Sequence, residues 1–97
     1  MIIGFFADIY QYSDCDGNGT LLLTELDAEP GVDLSGLYLG CADLFYANLA
    51  YANLTGADLS NSNLVGANLL RAELRNVDLG NTILGNTILV NSNLVAA

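Results

Sequence analysis

Ninety-seven residues bound the chain to one small domain with a thin core. Hydrophobic residues make up 53%, which excludes a chain disordered by composition. Eleven carboxylates stand against Arg71 and Arg75 alone, and the net charge of −9 argues against nucleic acid or an anionic membrane as a partner. The chain holds no His, Lys or Trp. General-base and nucleophile roles would therefore fall to carboxylates, and no phosphate loop, zinc spacing or nucleophile elbow is present. The sequence does not read as an enzyme. The acidity belongs to the N-terminal third, where Asp8, Asp14, Asp16, Glu25, Asp27, Glu29 and Asp33 all precede residue 34. Residues 79–97 carry no charge.

The apolar stretch Met1–Ala7 lacks a basic flank and is stopped by Asp8. It is too short for a signal peptide or a membrane span. Ile2, Ile3, Phe5, Phe6, Ile9 and Tyr10 recur at helical spacing and predict a short helix. The twelve residues from Asp14 to Glu25, DCDGNGTLLLTE, match the EF-hand calcium loop. Calcium takes a flexible ring of hard oxygen ligands. Asp14, Asp16 and Asn18 would supply positions one, three and five, with Gly19 at the sharp turn. Thr20 would offer its backbone carbonyl, and Glu25 would close the ring. Leu22 at position nine cannot ligate through its side chain, and an exiting helix has barely two turns before Pro30. Weak calcium binding is the expectation; the plainer reading is an acidic turn whose side chains cap backbone amides. Cys15 and Cys41 allow one disulfide, but two unpaired surface thiols are the plainer reading. Pro30–Gly31 then breaks the chain ahead of a different pattern.

From Val32 to Ala96 a five-residue unit repeats thirteen times without a gap. Its central residue is always leucine: Leu34, Leu39, Leu44, Leu49, Leu54, Leu59, Leu64, Leu69, Leu74, Leu79, Leu84, Leu89 and Leu94. Two residues earlier stands something small or β-branched, except at Leu37. On an α-helix a step of five turns about 500°, so the leucines would form no stripe. On a flat strand an odd period would send alternate leucines to opposite faces. All can point inward only if the chain turns a corner in every unit. Asn, Asp, Gly and Ser crowd the positions where corners are needed.

The run resembles the pentapeptide-repeat family, whose motif is A(D/N)LXX; ANLAY, ANLTG, ADLSN and ANLLR match it letter for letter. The resemblance covers residues 32–96. It implies an all-β solenoid, a right-handed quadrilateral β-helix with four units per coil and about three coils. The leucines and the small residues two before them would fill the interior. Residues 1–31 would then be an N-terminal cap, helical in part and carrying the EF-hand-like loop, and residues 32–97 the β-helix. Ile83 and Ile88 replace the outward Asp or Asn of the motif.

With residues twenty apart stacked, one face presents Phe45, Val65 and Ile83, and its neighbour Leu70, Ile88 and Val90. A contiguous apolar area of this kind marks an interface. Asn48 and Asn68 would stack as an amide ladder. Nothing covers the last leucines in sequence, so two copies are expected to associate through the C-terminal coil or the adjacent apolar faces. The function read from these features is a non-catalytic structural or protein-interaction module. Two alternatives are a DNA mimic acting on DNA gyrase, as some members of the resembled family are, and a calcium-dependent extracellular or envelope module. Three nearly neutral coils are a poor match to the first.

Overall fold

The computed structural model describes residues 8–94. Parallel bridges join residues twenty apart throughout the repeat: Asp33 to Asn53, Asp43 to Asn63, Asn48 to Asn68, Asn63 to Ile83 and Glu73 to Asn93. Four five-residue units therefore make one coil, and the chain stacks on itself as a β-helix. From Leu34 to Leu74 the N–H of each unit's central leucine donates to the coil below, as in Leu44 to the Asn63 carbonyl at 2.9 Å and Leu64 to the Ile83 carbonyl at 2.9 Å.

Every unit turns by the same device. The residue three after the leucine donates its N–H to the leucine carbonyl, as in Ala52 to Leu49 at 3.0 Å. The residue two after the leucine has positive φ, at Gly36, Cys41, Tyr46, Tyr51, Gly56, Asn61, Gly66, Arg71, Asn76, Asn81, Asn86 and Asn91 alike. This is the geometry of a type II turn, which favours Gly or Asn at that point. Cys41, Tyr46, Tyr51 and Arg71 occupy it against their steric preference.

Where Asp or Asn precedes the central leucine it has a local task. Its side chain accepts the N–H two residues on: Asp33 from Ser35, Asn53 from Thr55, Asp58 from Ser60, Asn63 from Val65 and Asn68 from Leu70, at 2.8–3.1 Å. Asn48 and Asn68 thus bond their own corners, and the expected amide ladder between them is replaced by these caps. Asp33 also accepts the Ser35 hydroxyl at 2.6 Å. That bond, with the Ser35 N–H, holds its carboxyl below the usual carboxylate range. The interaction is present above that range and lost as acid protonates the group.

Leucines fill the centre. The central leucines of the units from Leu34 to Leu74 are at most 2% exposed. Beyond that the interior opens: Leu79 and Leu89 are half-buried, while Leu84 and Leu94 are 37% and 43% exposed. The small inward positions tolerate hydroxyls where a carbonyl of the preceding coil accepts them. Ser62, Thr82 and Thr87 donate to the carbonyls of Leu39, Leu59 and Leu64 at 2.7–2.8 Å.

The cap corrects the helical expectation. Among the described residues there is no helix; strands β1 (Asp8–Tyr10) and β2 (Leu22–Asp27) pair antiparallel. Ile2, Ile3, Phe5 and Phe6 lie outside the described residues. Ile9 is 1% exposed, Tyr10 49%, Gln11 3% and Tyr12 52%, an alternation with the period of a strand. The first coil offers an open edge, and the chain takes it. Asp43 N–H donates to the Tyr10 carbonyl at 2.8 Å, and Tyr12 N–H to Cys41 at 3.0 Å. Edge pairing outweighs helical spacing here, helped by Ile and Tyr, which suit strands. Ile9 joins the leucine core from above, with Leu23 and Ala28 packed beside it.

Candidate functional site

Two features lie outside the structural requirements of the coil: the tip of the β1–β2 hairpin and a pair of adjacent apolar faces.

The tip spans residues 12–21, all exposed. Three Asx bonds shape it. Gly19 N–H donates to Asp14 Oδ2 at 3.2 Å, Asn18 N–H to Asp16 Oδ1 at 3.2 Å, and Thr20 N–H to Asn18 Oδ1 at 2.9 Å. The first half of the twelve-residue loop is therefore ordered by the side chains proposed as ligands. The second half departs from an EF-hand: Glu25 lies in β2, where an exiting helix would begin. The physical reason is the pairing of β2 with β1, which holds residues 22–27 extended. Among the described residues, no three His, Cys, Asp or Glu side chains are gathered to hold a metal. The residues present fit a calcium ring only in its first half.

Cys15 in the tip is disulfide-bonded to Cys41 at a corner of the first coil, which overturns the reading of two unpaired thiols. Folding of the hairpin onto the coil edge brings together cysteines 26 residues apart, a proximity the sequence spacing alone does not carry. Tyr12 Oη donates to the Asn61 carbonyl at 2.6 Å, and Gln11 Nε2 to the Gly40 carbonyl at 3.0 Å. Tyr38 lies close by. Partial burial raises its phenol pKa, with further contributions from the charges of Asp16 and then Asp58.

The four faces of the coil divide by chemistry. The first, around Leu34, Leu54 and Leu74, carries Asp33, Asn53, Glu73, Ser35, Thr55 and Arg75 outward. The second carries Tyr38, Asp58 and Asp78. The third brings Phe45, Val65 and Ile83 together, and the fourth Leu70, Ile88 and Val90. Phe45, Ile83, Ile88 and Val90 are exposed, and Val65 and Leu70 half-buried. Tyr46 stands at the corner between the two apolar faces, its ring edge-on to Phe45 at 4.4 Å. Among the described residues, the charged side chains on these two faces are Asp43 in an outward column and Arg71 at the far corner of the fourth face.

Ile83 and Ile88 have a structural consequence. Each stands where other units place the Asx that caps a corner N–H, so Gly85 and Val90 receive no such cap. An outward isoleucine thus replaces a local hydrogen bond in two successive units, one on each apolar face.

The sequence reading held the disulfide as the less plain alternative, expected an amide ladder where Asx caps stand, and noted turn-forming residues without fixing which position is the corner. The corners had a visible pattern, since Gly or Asn fills nine of the thirteen positions from Gly31 to Asn91.

The coil is built of four five-residue units, with an inward leucine and a left-handed corner in each and an Asx cap in most. Residues 42–81 match the family described as pentapeptide repeats, in eight copies. The chain is similar to HetL, a pentapeptide repeat protein involved in heterocyst differentiation regulation from the cyanobacterium Nostoc. The identity is 31%, the coverage 67% of this chain and 38% of that one, and the TM-score 0.33. The chain thus spans well under half the length of that protein. No curated protein matches it.

Proposed function

We propose that the chain is a non-catalytic protein-interaction module of the pentapeptide-repeat type, residues 1–31 forming its cap and residues 32–97 its β-helix. The observation that carries this reading is the division of the coil into two polar and two apolar faces, with isoleucine displacing a cap on each apolar face. Self-association through these faces or the C-terminal coil is the specific form proposed. The charge of −9 sits almost wholly elsewhere, so two copies meet on these faces with little repulsion. The double variant Ile83→Asn, Ile88→Asn tests it, because it restores the motif while removing the apolar side chains. It should gain about 0.5–1 kcal/mol of stability per site from the recovered bonds. It should sediment as a monomer where the parent protein sediments as a dimer. A parent monomer at about 100 μM would sink self-association. A variant that still dimerises would move the contact off these two faces and onto the coil end.

Calcium stabilisation of the hairpin tip is a second reading, favoured by the Asx bonds of Asp14, Asp16 and Asn18. Asp14, Asp16, Asn18, the Thr20 carbonyl and Glu25 would hold the ion. With Glu25 on a strand, a dissociation constant of about 10⁻⁴–10⁻³ M is expected. Isothermal titration of metal-stripped protein should give saturable heat that Glu25→Ala abolishes. No heat at millimolar calcium would leave residues 14–25 a capping turn. The carboxylates that would support a DNA mimic are few on the coils: Asp33, Asp43, Asp58, Glu73 and Asp78, with none on the fourth face.

A further inference from the structure

We propose that the Cys15–Cys41 disulfide is a redox latch that fastens the hairpin tip to the second face of the coil and releases it on reduction. The tip has no packing of its own, since residues 12–21 are all exposed. Tyr12 is held to the coil by its N–H on the Cys41 carbonyl and its hydroxyl on the Asn61 carbonyl, and beyond Tyr12 the described fastening of the tip to the coil is the disulfide. The root beneath it is independent of the cysteines. Ile9 and Gln11 are 1% and 3% exposed, β1 pairs with β2, and Asp43 N–H holds the Tyr10 carbonyl. Cutting the disulfide therefore frees the tip and leaves the root and coil folded, a local opening of low free energy.

Electrostatics favour the open state once the bond is cut. The tip carries Asp14 and Asp16, and the second face carries Asp58 and Asp78. Asp16 and Asp58 both lie near enough to Tyr38 to act on its phenol. The covalent bond holds like charges together, and no cation of the chain stands in the tip. Cys15 is the exposed partner and Cys41 is 3% exposed, so a dithiol reductant reaches the Cys15 sulfur first. A thiolate of the reductant attacks Cys15 Sγ, the S–S bond breaks, and Cys41 leaves as thiolate and takes a proton. The second thiol of the reductant then displaces Cys15 from the mixed disulfide. The protein gains two electrons and two protons as two thiols, and the reductant becomes a disulfide. Opening bares the corner of Cys41, which is 3% exposed with the bond intact.

Hydrogen exchange read by mass spectrometry tests the latch on the whole chain, oxidised, reduced with dithiothreitol without denaturant, and reoxidised. Exchange within residues 13–20 should rise at least about tenfold on reduction and return on reoxidation, while residues 44–74 stay unchanged. The variant Cys15→Ser, Cys41→Asn, which gives the corner a residue suited to positive φ, should hold the tip permanently in the fast-exchanging state. Unchanged exchange in residues 13–20 on reduction would overturn the proposal. So would increased exchange across residues 44–74, which would make the bond a staple of the whole fold.

Discussion

Leu64→Ala is expected to lower the free energy of unfolding by about 2–5 kcal/mol, whereas Leu84→Ala should lower it by only about 1 kcal/mol. The two residues occupy one column of the third face, twenty positions apart, with the same place in the unit. Leu64 is fully buried and Leu84 is 37% exposed. Truncating Leu64 removes apolar area and leaves a cavity that rigid stacked turns cannot close. At Leu84 water already reaches the side chain, so the cavity contribution falls away. Urea unfolding followed by far-ultraviolet circular dichroism measures both differences. Equal costs would mean that the interior around Leu84 is covered in solution. A concentration dependence of the Leu84→Ala effect would then identify a second copy as the cover.

The pair of variants also bears on how stability is distributed. In a solenoid each coil contacts only its neighbours, so stability is close to a sum of unit and interface contributions. The coil containing Leu54, Leu59, Leu64 and Leu69 is covered on both sides and those leucines are at most 1% exposed. The following coil has one neighbour among the described residues. Unfolding should start there, and the apolar faces proposed as an interface run into it through Ile83, Ile88 and Val90.

The coil was legible in the sequence because one steric demand repeats. A leucine every fifth residue fits neither helix nor flat strand, so the turn in every unit follows from the period alone. The bridges between residues twenty apart agree with that reading. The apolar faces were legible for the same reason, once residues were placed in columns of twenty. The cap was not. Ile9 and Tyr10 fit a helical pattern as readily as an alternating one over so few residues, and the deciding partner is an edge of the first coil some thirty residues away. The disulfide was hidden by the same contact, since Cys15 reaches Cys41 only after residues 10–12 have joined that edge. The role of Asp and Asn was half-legible. Their frequency near corners suggested turns, but a side chain that caps its own unit looks in sequence like one that ladders with the next. Asn68 settles the matter by accepting from Leu70 at 3.0 Å.

Gly66→Ala is expected to cost about 2–3 kcal/mol, while Gly56→Ala should cost only about 1–2 kcal/mol. Both glycines sit at corners with φ of +71°, so the penalty for placing a Cβ in the left-handed region is common to them. Their surroundings differ. A Cβ at Gly56 meets open space, whereas one at Gly66 would fall 2.5 Å from the Tyr46 ring. The ring must then swing off the corner and lose its packing on the glycine. Tyr46 is 65% exposed, so it has room to move, which keeps the excess near 1 kcal/mol. In a Tyr46→Asn background that excess should vanish, and Gly66→Ala should then cost no more than Gly56→Ala. Asn also relieves Tyr46's own positive φ of 57°, so the background is not expected to be less stable than the parent. The double-mutant cycle, read by urea unfolding, thus isolates one ring on one glycine. Equal costs at the two glycines in the parent protein would place the Tyr46 ring elsewhere. A measured excess would mean that Gly66 serves as a seat for an aromatic ring at the junction of the two apolar faces. Tyr46 stands there in a conformation that Gly or Asn would adopt more easily, and burial against a partner is the compensation that the proposed interface supplies.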